Sequence, residues 1–118
     1  MSKTHRIAII GIGAIAGMHA RAIADLDNAT LVAGCCRTKE KGKKFIEQFG
    51  GQWFPDADTM LDKVKPDVIT ICTPSGVHLE GTLAATKRGI HVLCEKPLEI
   101  TTPRVDQMAA AAKQAGVV

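Results

Sequence analysis

Short apolar runs alternate with longer stretches of helical periodicity along the whole chain. The apolar runs predict five strands, over residues 6–10, 30–35, 52–54, 67–72 and 91–94. These runs are almost entirely apolar, which is typical of strands that are covered on both faces. The β-α-β-α order predicts an α/β fold of three layers, in which a parallel, doubly wound sheet has right-handed crossovers.

The helical stretches have recognisable starts and inner faces. The first helix is predicted to bury Ile15, Met18, Ala22, Ile23 and Leu26, and the last to bury Val105, Met108, Ala109 and Ala112. Side chains that can cap helices are Thr38, Asp56 or Asp58, Ser75, and Thr102 before Pro103. Gly116 ends the last helix, and an apolar pair follows it. We therefore expect the sheet to stop near the start of a sixth strand.

The first strand leads directly into Gly11, Gly13 and Ala16, and a helix follows. In this context the pattern G-x-G-x-x-G/A is typical of dinucleotide binding. Gly11 allows the tight turn, Gly13 lets the backbone approach a pyrophosphate, and Ala16 keeps the helix close to its strand. The helix N-terminus adds unpaired N–H groups and partial positive charge. The alternative is an ordinary turn between a strand and a helix.

Composition narrows the classes of function. The chain has 118 residues, of which 46% are apolar, so residues 1–118 are expected to form one domain. Its net charge of +3 comes without basic residues interleaved with aromatic ones, so no nucleic acid is expected as a partner. No run is long enough to span a membrane, and the first residues lack the apolar core of a signal peptide. The four histidines lack the spacing of metal ligands, so no metal site is predicted.

The cysteines lie on predicted strands or at strand ends, at Cys35, Cys36, Cys72 and Cys94. No C-x-x-C pair occurs among them. We interpret them as reduced packing residues, which favours a cytoplasmic protein.

The end of the second strand lacks the acid that usually binds the ribose 2′-hydroxyl in this kind of fold. Its place is taken by Cys36, which is followed by Arg37 and Thr38. Arg37 can make a bidentate contact with a 2′-phosphate, and Thr38 can donate to it, so NADP is favoured over NAD. Two alternatives stay open: Arg37 stacks on adenine, which serves NAD equally well, or this segment is an exposed helix start capped by Thr38.

Two further motifs follow the fourth and fifth strands, Thr73-Pro74-x-x-x-His78 and Glu95-Lys96-Pro97. The carboxyl ends of parallel strands lie on one edge of the sheet, where ligands bind in open α/β folds. We therefore expect both motifs and the glycine turn to converge on one crevice.

Together these motifs resemble the Gfo/Idh/MocA family of NAD(P)-dependent oxidoreductases. The resemblance runs from about residue 6 to the end of the chain and rests on Gly11-x-Gly13-x-x-Ala16, His19, Thr73-Pro74-x-x-x-His78, Gly89-x-His91-Val92 and Glu95-Lys96-Pro97-Leu98. It implies a Rossmann fold that binds NAD(P), and, in a longer form, a sugar, inositol or related substrate. A homo-oligomer stays open.

The resemblance also implies roles for individual residues. The residues that would wrap the pyrophosphate are Gly11, Ile12, Gly13, Ala14, Ile15 and Ala16. Those beside the adenosine would be Cys36, Arg37 and Thr38. Those on the nicotinamide side would be Thr73, Pro74, Glu95, Lys96 and Pro97. Lys96 would be the catalytic residue, whose charge stabilises an alkoxide and which can help to move the proton.

Other interpretations of these residues remain. Without the resemblance, Lys96 is a surface lysine paired with a neighbouring glutamate. His78 is expected to tie loops together at a helix start, and His19 is expected to pack over the first helix. Pro97 could fix the loop that aims Lys96, with either a cis or a trans peptide bond.

The family's second domain, which supplies the general acid or base, has no counterpart in these 118 residues. We therefore expect the chain to bind NAD(P) without turning over a substrate. Two other functions fit a fold of this kind. One is a nucleotide-sensing module without hydride chemistry, and the other is a methyltransferase that binds S-adenosylmethionine. Neither of them needs the Glu95-Lys96-Pro97 motif.

Overall fold

The computed structural model describes residues 4–118, in which one sheet of five strands forms the centre of the fold. The strands are β1 His5–Ile10, β2 Ala29–Cys35, β3 Gln52–Phe54, β4 Val68–Ile71 and β5 His91–Cys94. They lie in the order β3-β2-β1-β4-β5, and all four pairings are parallel. The predicted strands and their parallel arrangement are confirmed. The strand order reverses between β1 and β4, which opens a crevice at their carboxyl ends.

Helices cover both faces of this sheet. They are α1 Ala16–Ala24, α2 Lys39–Phe49, α3 Ala57–Val64, α4 His78–Thr86 and α5 Thr102–Ala115. One core joins Ile9 of β1 to residues of α1 and α2, and the other joins Ile10 to residues of α3 and α4. Successive side chains of a strand point to opposite faces, so one apolar strand serves both cores. The predicted doubly wound fold of three layers is confirmed.

The inner face of α1 differs from the predicted stripe. Its buried residues are Ala16, Ala20 and Ile23. Met18 and Leu26 are 62% and 52% exposed, and Ala22 is exposed as well, so the predicted stripe is wrong at these positions. Small side chains face the sheet because α1 begins directly after the turn from β1 and packs close to that strand.

The start of α4 is also corrected by the structure. Its N-cap residue is Val77, which has no side-chain cap, so the predicted cap at Ser75 is wrong. The carboxylate of Glu99 instead accepts hydrogen bonds from the backbone N–H groups of His78 and Leu79, at 3.0 and 2.9 Å. A residue 20 positions away in sequence therefore caps this helix.

The other helix starts lie closer to the prediction. The side chain of Asp56 caps α3, because its Oδ1 accepts a hydrogen bond from the backbone N–H of Thr59 at 2.7 Å. Thr38 occupies the N-cap position of α2 but makes no side-chain cap bond. The cap of α5 is Thr101, one residue before the predicted Thr102. Ala109, which was predicted to face inward on α5, is exposed.

Residue 118 lies against the free edge of β5. The carbonyl of Val118 accepts a hydrogen bond from the backbone N–H of Val92 at 2.9 Å. Its own N–H donates to Nδ1 of His91 at 3.0 Å. One backbone hydrogen bond thus joins residue 118 to the outer side of β5, and the sheet of the described residues has five strands.

Candidate functional site

The turn after β1 approaches the end of β4 so closely that a side chain at Gly11 would not fit. Gly11 has a φ of +91°, in the left-handed region. A Cβ at this position would lie 2.7 Å from the backbone nitrogen of Thr73. A Cβ at Gly13 would meet the carbonyl of Cys72 at 3.8 Å, an ordinary contact. The first glycine is therefore required by packing within the protein, whereas the second leaves open space in front of the turn.

The same turn offers backbone donors at the start of α1. The side chain of Ile12 is buried in the core, and Ala14 is exposed. The carbonyl of Gly13 accepts from the N–H of Ala16 at 3.2 Å, which begins the helix. Within residues 4–118, the N–H groups of residues 12–15 donate to no protein acceptor. A row of unpaired donors at a helix N-terminus fits a phosphate group.

The end of β2 carries exposed polar side chains. The backbone N–H of Cys36 donates to the carbonyl of Phe54 at 3.3 Å, and its thiol donates to the carbonyl of Thr38 at 3.1 Å. Arg37 and Thr38 are both exposed. This segment therefore has its cation and its hydroxyl open to a ligand.

The end of β4 is joined to the loop after β5 by His78, which is 1% exposed. Its Nε2 lies 2.8 Å from the carbonyl of Thr73. Its Nδ1 lies 2.8 Å from the carbonyl of Pro97 and 3.2 Å from that of Leu98. The predicted role of His78 as a tie between loops is confirmed. Pro74, which follows Thr73, is exposed at the same edge.

Glu99 anchors the loop after β5 from within. Its side chain is fully buried and accepts from the N–H groups of His78, Leu79 and Ile100 and from the guanidinium of Arg104. Burial by itself raises the pKa of Glu99, but the backbone donors and Arg104 outweigh burial and lower the pKa to about 2. Sequence reasoning missed this role. The signal was an acid in an otherwise apolar segment, Leu98 to Ile100.

Glu95 connects the end of β5 to the first turn of α1. Its Oε2 lies 2.7 Å from Nε2 of His19, and its Oε1 accepts from the backbone N–H of Lys96 at 3.2 Å. The hydrogen bond from His19, and then that from Lys96, hold the pKa of Glu95 below its usual value. His19 therefore does more than pack over α1, which corrects the sequence prediction. Lys96 is exposed, and its bond to Pro97 is cis.

The structure brings three predicted segments to one edge of the sheet. The glycine turn contacts Thr73, His78 joins Thr73 to Pro97, and Glu95 joins β5 to α1. The segment with Arg37 lies at the end of β2, on the opposite side of β1. The arrangement offers donors for an anion at its centre and an exposed ammonium group at the end of β5.

Among residues 4–118, no group of three or more His, Cys, Asp or Glu side chains is placed to hold a metal ion. No helix of this part of the chain is long and apolar enough to cross a membrane.

Burial raises the pKa of Cys35 to about 12 and that of Cys72 to about 11, so these thiols are protonated near neutral pH.

Comparison with known proteins supplies a family. Residues 5–118 match the Gfo/Idh/MocA model, which is described as an oxidoreductase family with an NAD-binding Rossmann fold. The chain is 36% identical over 119 residues to D-glucoside 3-dehydrogenase of Escherichia coli (strain K12), covering 99% of this chain and 34% of that protein. It is 32% identical over 114 residues to scyllo-inositol 2-dehydrogenase (NADP(+)) of Bacillus subtilis (strain 168), covering 96% and 35%.

A solved structure extends this similarity to three dimensions. The WlbA dehydrogenase of Chromobacterium violaceum, in complex with NADH and UDP-GlcNAcA, superposes with a TM-score of 0.95 at 28% identity. The match covers 99% of this chain and 34% of that protein. The chain thus spans about a third of the length of the relatives that it matches.

Proposed function

The chain belongs to the Gfo/Idh/MocA oxidoreductase family, and we propose that it is the cofactor-binding domain of an enzyme that transfers hydride between NAD(P) and a sugar or cyclic polyol. The observation that carries this proposal is the meeting of the glycine turn, Thr73 and residues 95–97 at one sheet edge. The two relatives named above act on a glucoside and on an inositol. The substrate class is proposed from that similarity.

The proposed site divides at the glycine turn. Residues 11–16 surround the pyrophosphate, and the unpaired N–H groups of residues 12–15 hold it. Residues 36–38 form the adenosine half, at the end of β2. Residues 73–78 and 95–99 form the nicotinamide half, at the ends of β4 and β5. This division follows the general arrangement of doubly wound folds, in which a dinucleotide lies across the point where the strand order reverses.

Lys96 is proposed as the catalytic residue. When bound, the nicotinamide accepts or donates the hydride. The exposed ammonium of Lys96 lies on the same edge, where it can donate to the reacting oxygen. Its positive charge stabilises the alkoxide character that develops there as hydride leaves or arrives.

NADP is the proposed cofactor, in preference to NAD. The exposed guanidinium of Arg37 and hydroxyl of Thr38 suit a 2′-phosphate, and Cys36 stands where a carboxylate would repel it. The inositol dehydrogenase named above carries NADP in its name, and the solved WlbA structure named above holds NADH. The preference therefore rests on the residues of this chain.

We further propose that these 118 residues bind the cofactor without turnover. The titratable side chains Glu95 and His78, which lie beside Lys96, already take part in hydrogen bonds within the protein. Glu95 is hydrogen-bonded to His19, and both ring nitrogens of His78 face backbone carbonyls. A general acid or base would then come from the part of the relatives that this chain does not span.

Calorimetric titration with NADPH, NADH and S-adenosylmethionine tests the proposed cofactor site. We expect NADPH to bind most tightly and S-adenosylmethionine not to bind. Gly13→Ala should weaken NADPH binding at least about tenfold, because its methyl group occupies the space in front of the turn. Its melting temperature should stay close to the wild-type value, since the new Cβ makes an ordinary contact. Equal binding of all three ligands would refute the proposal.

A further inference from the structure

A hydrogen bond between His19 and Glu95 connects two segments that are 76 residues apart. His19 belongs to the first turn of α1, and Glu95 follows β5 directly. The ring nitrogen and the carboxylate oxygen lie 2.7 Å apart, with side-chain exposures of 14% and 26%. An ionised carboxylate can only accept, so Nε2 of His19 is the donor. The contact is short, partly shielded from water and charge-assisted, which makes it stronger than a neutral hydrogen bond.

The position of this bond places it beside the nicotinamide half. β4 lies between β1 and β5 in the sheet, so a contact from α1 to the end of β5 passes the carboxyl end of β4. A pyrophosphate on the N–H groups of α1 would direct one nucleoside toward β2 and the other toward β4 and β5. Glu95 therefore faces the second nucleoside and not the first.

Glu95 also has acceptor capacity left over. Its Oε2 takes the bond from His19, and its Oε1 takes one from the N–H of Lys96. A carboxylate offers about four acceptor sites, so about two stay available to a ligand. Glu99, by contrast, is fully buried and accepts four hydrogen bonds from the protein.

We propose that His19 is a positioning residue, which holds the Glu95 carboxylate in the orientation that accepts hydroxyl groups of the ribose next to the nicotinamide. This inference rests on the proposed function, because it requires a dinucleotide at the glycine turn. We therefore expect His19 to affect the binding of the nicotinamide nucleoside alone, although it belongs to the helix that would bind the pyrophosphate.

Two ligands separate this role from a general effect on α1. NADPH contains both nucleosides, whereas adenosine 2′,5′-bisphosphate has no nicotinamide ribose. We expect His19→Ala to weaken NADPH binding about tenfold. Without His19, the Glu95 carboxylate would lose its orientation and its hydrogen bond to the ribose, and a hydrogen bond to a charged group contributes about this much. Binding of the bisphosphate should change less than about twofold. His19→Gln, whose amide can donate to the same oxygen, should recover most of the NADPH affinity.

A double-mutant cycle tests the coupling to Glu95 directly. In a Glu95→Ala background, His19→Ala should cause no further loss of NADPH affinity, because the group that it positions is gone. Equal losses for NADPH and the bisphosphate in His19→Ala, or no loss for either, would overturn the inference while the cofactor site stands. If the wild-type chain binds neither ligand, the proposed function fails as well. Circular dichroism melting of each variant shows that the chain is folded during the titration.

Discussion

The adenosine half and the nicotinamide half of the site are built in different ways. In the adenosine half, Arg37 and Thr38 are exposed. The thiol of Cys36 donates a hydrogen bond within the same segment, to the carbonyl of Thr38. In the nicotinamide half, the side chains of His78, Glu95 and Glu99 all hydrogen-bond to other segments, and the partner of Glu95 is His19 of α1. The adenosine half exposes its cation, Arg37, whereas the nicotinamide half holds its loops in place through side-chain hydrogen bonds.

The difference fits the role that we propose for each half. A phosphate can be attracted by a mobile cation, because charge interactions act over several ångströms and tolerate some freedom. A hydride transfer instead requires the reacting atoms to be held in a narrow geometry. The hydrogen-bonded network around Lys96 therefore suits the positioning of reacting atoms. The exposed segment around Arg37 suits the attraction of a phosphate. Substitutions in the two halves should therefore affect turnover, stability and cofactor affinity differently.

Lys96→Ala should give the largest effect. In a longer form that turns over substrate, we expect kcat to fall about 10²- to 10³-fold, because the alkoxide loses its charged partner. NADPH affinity should change by less than about threefold. Steady-state kinetics and calorimetry measure the two quantities. Lys87→Ala, which removes an exposed lysine after α4, is the matched control, and turnover that stays at the control level would exclude the proposed role.

Glu99→Ala should have the largest effect on stability. It leaves the first N–H groups of α4 and the guanidinium of Arg104 without their buried acceptor. We expect the melting temperature to fall by on the order of 10 °C, measured by calorimetry. Glu47→Ala, at an exposed position of α2, should leave it nearly unchanged. Similar melting temperatures for the two variants would mean that the nicotinamide half is not held together by this carboxylate.

Arg37→Ala tests the adenosine half. We expect NADPH affinity to fall about tenfold and NADH affinity to stay the same, since the guanidinium is proposed to contact the 2′-phosphate. Lys41→Ala removes the same charge from a nearby exposed position of α2 and controls for general attraction of an anion. A variant without Arg37 that still prefers NADPH would contradict the proposal, as would wild-type protein that binds NADH as tightly as NADPH.

The pH dependence of stability tests the same buried carboxylate, Glu99. The folded chain lowers the pKa of Glu99 from its ordinary value of 4.5 to about 2. Its stabilising contribution is therefore complete above pH 4.5 and is lost as the pH falls toward 2. Unfolding by denaturant between these pH values should show a decline that is reduced in Glu99→Gln. Parallel declines in both proteins would assign the acid sensitivity to other carboxylates.

The local pattern of apolar residues predicted burial correctly where one physical rule was sufficient. Ile9 and Ile10 belong to a continuous apolar strand, and both are buried because helices cover both faces. The stripe on α1 failed because the prediction followed large apolar side chains. At this helix, close approach to β1 selects small residues such as Ala20, and Met18 points to solvent.

Contacts over long distances in sequence were harder to predict. Arg37 and Lys96 could be proposed as site residues from their place in the motifs, and those roles stay predictions. The link from His19 to Glu95 and the cap of α4 by Glu99 join positions 76 and 20 or more residues apart. No local pattern indicates such partners, since they depend on which strands lie side by side.

The amino-acid pattern was enough to predict the succession of strands and helices along the chain, the glycine turn and the edge of the sheet on which the motifs lie. These features follow from side-chain periodicity and from the backbone freedom of glycine at position 11. Packing in the folded chain leaves one acid available and buries another: Glu95 is partly open beside His19, and Glu99 is enclosed beside Arg104. The two glutamates are four residues apart, and their difference comes from the neighbours that the folded sheet and helices bring to each.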